Sequence, residues 1–71
     1  MKTNLKRNDQ VILHSPCIGV PVGSSGTVIE VGSDNGIFGQ QIKTKFVVGG
    51  VVVVKTFNTN NLLIRKMRSR F

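Results

Sequence analysis

The sequence QQIKTKFVVGGVVVVKTF, residues 40–57, contains the strongest structural signal in the chain. Apolar and polar side chains alternate in its first half, so that Ile42 and Phe46 share one face of a strand and the intervening lysines the other. Gly49 and Gly50 can adopt the positive φ angles that a tight hairpin turn needs. The β-branched run that follows is typical of a second strand. We therefore predict two antiparallel strands, residues 40–48 and 51–57.

Three further strands are predicted around this hairpin, because runs rich in Val, Ile and Leu alternate there with Gly, Pro, Asn and Ser. They cover residues 10–14, 26–31 and 62–65. The connections are a long loop at 15–25, a Ser-Asp-Asn-Gly turn at 32–36 and a polar turn at 58–61 that suits one turn of 3₁₀ helix. No segment shows the periodicity of a long helix. This order predicts an all-β, five-stranded SH3-like small barrel over residues 1–66, with a basic tail at 67–71.

The valine run at residues 51–54 would promote fibril formation if it lay on an open sheet edge. A closed barrel would cover it, so we expect a strand covered on both faces, with a second copy of the chain as one available cover. Alternation along the strands also predicts the core. The side chains predicted to be mostly buried are Val11, Leu13, Val28, Val31, Ile42, Phe46, Val53, Phe57, Leu62 and Ile64.

Charge is the main indication of function. Ten Lys and Arg residues stand against three acids in 71 residues, which gives a formal charge of +7 and a pI near 10.6. Such a field attracts polyanions, namely nucleic acid, an anionic membrane surface or an acidic protein. No apolar run reaches the ~18–20 residues of a membrane span, and no apolar region follows the charged N-terminus, so we expect neither a transmembrane segment nor a signal peptide. A single cysteine fits a cytoplasmic location.

The basic residues fall into an N-terminal group, a group on the third and fourth strands, and the C-terminal tail. The first and last strands of such a barrel commonly run side by side, so the first and last groups are predicted to form one patch. The lysines of the third strand have a second interpretation as an ordinary solvated face. The candidate binding residues are Lys6, Arg7, Lys43, Lys45, Arg65, Lys66, Arg68 and Arg70.

Few residues suit catalysis, and we expect no enzyme activity, no cofactor and no metal site. His14 and Cys17 are too few for a zinc site, and nothing in the sequence orients them as a thiol–imidazole pair. Asp9 and Asp34 suit turns, whereas Glu30 suits an ion pair with Lys43 or Lys45 across a ladder. Phe38 and Phe71 are the aromatic residues placed to stack on bases, and ordinary contacts are the alternative for both.

Two families share parts of this pattern. The segment KRNDQVIL at residues 6–13, followed by GTVIEV at 26–31, resembles the opening of KOW-type barrels. That resemblance implies binding to RNA or RNA polymerase in ribosomal or transcription assemblies. The same opening, together with the Thr59-Asn60-Asn61 turn, is similar to the small basic SH3-like component of photosystem I, although this chain has no Trp or Tyr. That resemblance implies docking on a larger complex and electrostatic capture of acidic ferredoxin.

These observations give two functional hypotheses. The first is a nucleic-acid-binding module, for RNA or DNA, whose contacts go mainly to phosphates. The alternative is a protein-docking or regulatory subunit that captures an acidic partner.

Overall fold

The computed structural model describes residues 5–33, 37 and 39–67. These residues form five strands and one 3₁₀ turn: β1 (Gln10–Leu13), β2 (Ser25–Val31), β3 (Gln41–Val48), β4 (Val51–Asn58), the 3₁₀ turn Thr59–Asn61, and β5 (Ile64–Lys66). All pairings are antiparallel, and the strand order is β4-β3-β2-β1-β5. The all-β class and each of the five predicted strands are therefore confirmed. The predicted Ser-Asp-Asn-Gly turn falls largely outside the described residues.

The sheet is open in the described part of the chain, with β4 and β5 as its two edges. The prediction that the valine run is covered on both faces is wrong, because Val51, Val52 and Val54 are 63, 58 and 48 % exposed. The cause is a difference in strand length. The β3–β4 hairpin has eight residues in each strand, whereas β1 and β5 have four and three, so its tip extends beyond the shorter strands.

The turn between β3 and β4 follows the predicted geometry. Val48 pairs with Val51, which leaves a two-residue turn. Both turn residues have positive φ, 57° at Gly49 and 80° at Gly50, as a type I′ hairpin requires. This turn matches the right-handed twist of the flanking strands and fixes the register of the whole hairpin.

Two features of β2 bend the sheet around its core. The β2–β3 register shifts between Val28 and Glu30, a bulge that increases local twist. Gly26 is paired with Phe46, and the aromatic ring lies so close that a Cβ at Gly26 would be 2.8 Å from it. The missing side chain at Gly26 thus allows the Phe46 ring to pack onto the β2 backbone.

The core lies on one face of the sheet, which we call the inner face. Most of the predicted core is confirmed, since Val11, Leu13, Val28, Ile42, Phe46, Phe57 and Ile64 are all buried. Three predicted residues, Val31, Val53 and Leu62, are only partly buried and pack at its margin. Leu5 and Val20 also enter the core, from the N-terminal segment and the β1–β2 loop.

One polar atom interrupts this core. Thr44 is fully buried on the inner face of β3, and within the described residues its Oγ1 has no hydrogen-bond partner. A buried hydroxyl without a partner loses its hydration and gains nothing in return.

We therefore expect Thr44→Val to raise the free energy of unfolding by about 1 kcal/mol, and the melting temperature by about 4–8 °C for a domain of this size. Thermal denaturation checks this. Thr27→Val is the matched control, because the Thr27 hydroxyl lies 3.4 Å from Gln10 Oε1 on the outer face and should give no comparable gain. A Thr44→Val chain less stable than the wild type would show that the hydroxyl has a partner.

Candidate polyanion-binding edge

The first part of the candidate site is a four-residue turn before β1. Lys6 and Asp9 close it twice: the Asp9 amide donates to the Lys6 carbonyl (3.1 Å), and the Lys6 amide donates to Asp9 Oδ2 (2.9 Å). Asn8 adopts a positive φ of 76°, a conformation that Asn tolerates better than most residues. Lys6 and Arg7 are exposed on this turn, as a cationic binding residue must be.

The second part is β5, which pairs with β1 as the sequence predicts. Val11 pairs with Lys66 and Ile12 with Arg65. The ladder is extended at both ends, by His14 N–H to the Leu63 carbonyl (2.9 Å) and by Met67 N–H to the Gln10 carbonyl (2.8 Å). This pairing holds Arg65 and Lys66, both exposed, beside the strand that follows the turn.

Asp9 joins these two parts. Its Oδ2 atom accepts the Lys6 amide and also lies 3.8 Å from Lys66 Nζ. The Asp9 side chain is only 19 % exposed, whereas that of Lys66 is 58 % exposed. The carboxylate thus fixes the turn next to β5 and offsets part of the positive charge there. We call Lys6, Arg7, Arg65 and Lys66 the basic edge.

An open groove of about 430 Å³ runs along the basic edge. It is lined by Ile12, Arg65, Lys66 and Met67. Ile12 lies between the buried Val11 and Leu13, so alternation points its side chain to the outer face, away from the core. Met67 is 39 % exposed. The groove therefore combines two cations with an apolar surface.

The third-strand lysines lie on the outer face of the same sheet. Lys43 and Lys45 are exposed and alternate with the buried residues of β3. Lys43 Nζ lies 3.4 Å from Glu30 Oε1, which confirms the predicted cross-strand ion pair. β3 is separated from β5 by β2 and β1, a distance of about 14 Å at a strand spacing of about 4.8 Å. These lysines are thus not part of the basic edge but face the same side as Arg65.

The remaining predicted residues divide into two groups. Arg68 and Arg70 lie outside the described residues, as do Phe38, Phe71 and Asp34. Lys55 is half-buried on the inner face of β4 and does not join Lys43 and Lys45 on the outer face.

The structure gives His14 and Cys17 separate partners. His14 Nδ1 lies 3.1 Å from Ser15 Oγ, and the Cys17 thiol donates to the Ile18 carbonyl at 3.9 Å. In the described part of the chain, no group of three or more His, Cys, Asp or Glu side chains is placed to hold a metal ion. Residues 5–33, 37 and 39–67 likewise include no helix with the length and hydrophobicity to cross a bilayer.

Sequence reasoning missed three members of this edge. Ile12 and Met67 supply the apolar lining, and Asp9 supplies the link between the turn and β5. The period-two pattern of β1 already places Ile12 opposite the core and could have identified it. The roles of Asp9 and Met67 depend on the β1–β5 register, which no local pattern contains.

No protein-family model, curated protein or solved structure matches this chain.

Proposed function

We propose that the chain is a non-enzymatic nucleic-acid-binding module whose basic edge holds RNA or DNA by its phosphates. One observation carries the proposal. The fold brings Lys6 and Arg7 from one end of the sequence beside Arg65 and Lys66 from the other, next to an open groove. Clustered exposed cations repel one another, and a bound polyanion relieves that repulsion.

The groove suits a nucleic acid strand. Arg65 and Lys66 would contact phosphate oxygens, while Ile12 and Met67 offer an apolar surface to sugars or bases. Lys45, across the outer face, would give a longer bound strand a second point of contact. Phosphate contacts supply affinity without sequence choice, so we propose a module that binds many sequences.

An SH3-like barrel of the KOW type, in a ribosomal or transcription assembly, is the setting we propose for this activity. The long β1–β2 loop, the three strands joined in succession, the 3₁₀ turn and the short β5 paired with β1 all support it. A cytoplasmic location is proposed with it.

Asp9 allows a sharp test of where binding occurs. Asp9→Asn removes a negative charge from the basic edge and retains an oxygen to accept the Lys6 amide. Two charges 4 Å apart interact by about 1 kcal/mol in water, so we expect roughly fivefold tighter binding at low salt. The measurement is fluorescence titration of labelled RNA and DNA oligonucleotides.

Glu30→Gln is the matched control, because it removes the same charge beside Lys43 on β2–β3 instead. Tighter binding by Glu30→Gln alone would move the site to the third-strand lysines. No detectable binding of RNA or DNA by the wild type at about 50 mM salt would exclude a nucleic-acid function.

The apolar lining of the groove favours one second candidate, a docking site for an acidic protein. Ile12 and the exposed Met67 could pack against a protein surface while the surrounding cations pair with carboxylates. A chain that fails to bind oligonucleotides but binds an acidic protein such as ferredoxin would support this candidate.

A further inference from the structure

The outermost strand of the sheet, β4, has hydrogen-bonding groups that no strand of the described chain uses. Its only sheet neighbour is β3. The two-residue turn makes Val48 and Val51 a hydrogen-bonded pair, and such pairs alternate along an antiparallel ladder. The amides and carbonyls of Val52, Val54 and Thr56 therefore point away from β3, toward the open side of the sheet.

The side chains along this edge make it adhesive. Val52 and Val54 are 58 and 48 % exposed, and the cross-strand neighbour of Val52, Val47, is 61 % exposed. Natural sheets protect exposed edges with charge, proline or a bulge. From Val51 to Val54 this strand has none of these, whereas the opposite edge strand carries Arg65 and Lys66.

We propose that β4 pairs antiparallel with β4 of a second copy of the chain, on a two-fold axis at Val54. In this register Val54 faces its own copy, and Val52 faces Thr56 of the partner subunit. Each pair exchanges two backbone hydrogen bonds. The pattern is self-complementary, as a two-fold interface must be. All three outward-facing residues are satisfied together, and the two sheets become one of ten strands.

The charge distribution permits this contact despite the +7 charge of each chain. The two basic edges lie at opposite ends of the ten-stranded sheet, up to about 43 Å apart at a strand spacing of about 4.8 Å. This distance is well beyond the Debye length of about 8 Å at physiological salt. Lys55 is the cation nearest the axis, and its Nζ lies over the inner face near Gly19 of its own chain, 3.8 Å from where a Cβ of that residue would be.

The occupant is a second copy because the strand is apolar and matches itself. A strand of an acidic partner would find no cation on the outward-facing side of residues 51–54. Dimerisation does not depend on the proposed nucleic-acid function, since β4 and the basic edge lie on opposite sides of the sheet.

The test is the molar mass of nucleic-acid-free protein by sedimentation equilibrium, at about 5 and about 200 µM, because a weak dimer is populated according to concentration. We expect wild-type chain to reach the dimer mass at the higher concentration. Val54→Lys places two like charges opposite each other on the axis and should remain monomeric. Ile18→Lys adds the same charge on the β1–β2 loop, at a residue that is 90 % exposed, and should still dimerise.

A second variant tests backbone pairing itself. Val54→Pro removes an amide that faces away from β3, a position where an edge strand tolerates proline. We expect a folded monomer, with far-ultraviolet circular dichroism like that of the wild type. Three results would overturn the proposal: a wild-type monomer at the higher concentration, a mass that grows beyond the dimer, or a Val54→Pro chain that is folded and still dimeric. The first would leave the edge to a strand from another protein.

Discussion

Replacing Phe46 by alanine is expected to lower the free energy of unfolding by roughly 3–5 kcal/mol. Phe46 is fully buried, and its ring packs edge-on against that of Phe57, with centroids 6.2 Å apart. It also lies over the β2 backbone at Gly26, so the variant would lose contacts with β2 and β4 together. A domain of this size has a total stability near the low end of about 5–15 kcal/mol. The variant should therefore be largely unfolded or close to it at 37 °C.

Urea and thermal denaturation of the dilute protein check this result. Val22→Ala is the control, because Val22 is 57 % exposed in the β1–β2 loop and its truncation should change stability by less than about 0.5 kcal/mol. A Phe46→Ala chain that melts within about two degrees of wild type, where loss of 1 kcal/mol alone should shift melting by about 4–8 °C, would contradict the β3 register.

Alternation and turn chemistry were sufficient to predict the hairpin from the sequence. In β3 each buried residue is followed by an exposed one as far as Val47, because the strand has one dry face and one wet face. Gly49 and Gly50 then fix the turn. β5 was harder to predict, since Leu62 and Leu63 are apolar and yet precede the strand. They are half-buried in the connection and do not pair in the ladder.

The closure of the sheet could not be derived from local patterns. Val51 and Val52 look like core residues in a window of sequence, but their burial depends on how far neighbouring strands extend. Leu5 and Val20 are the reverse case, because they reach the core from segments without strand periodicity. Both errors arise from contacts between distant parts of the chain.

The meeting of the two basic groups was predicted correctly, because it depends only on pairing of the first and last strands. The details of that edge were not. The Asp9 carboxylate beside Lys66 looked like an ordinary turn residue, and its second contact appears only once the turn and β5 are adjacent. Topology was thus predictable, and the local charge balance required coordinates.

Replacing Arg65, Lys66, Arg68 and Arg70 by glutamine is expected to abolish most nucleic-acid binding at physiological salt. For the wild type, each neutralised phosphate contributes about 0.9 to the slope of log K against log salt on duplex and about 0.7 on single strands. Six cations, from Lys6 and Arg7 through β5 and the tail, would give a slope of roughly 3–5 if most of them engage. The variant should retain a slope of about 1–2, owed to Lys6 and Arg7.

The variant should still fold, which makes the loss interpretable. Arg65 and Lys66 are exposed, and the Lys66–Asp9 contact at 3.8 Å is a surface ion pair, worth about 0–1 kcal/mol. Lys43→Gln with Lys45→Gln is the control, since these lysines lie outside the basic edge. Affinity should fall about equally for every oligonucleotide sequence, because phosphates carry no sequence information. Loss confined to one sequence would instead place base contacts on this edge, and a larger loss in the Lys43 and Lys45 control would place the phosphates on β3.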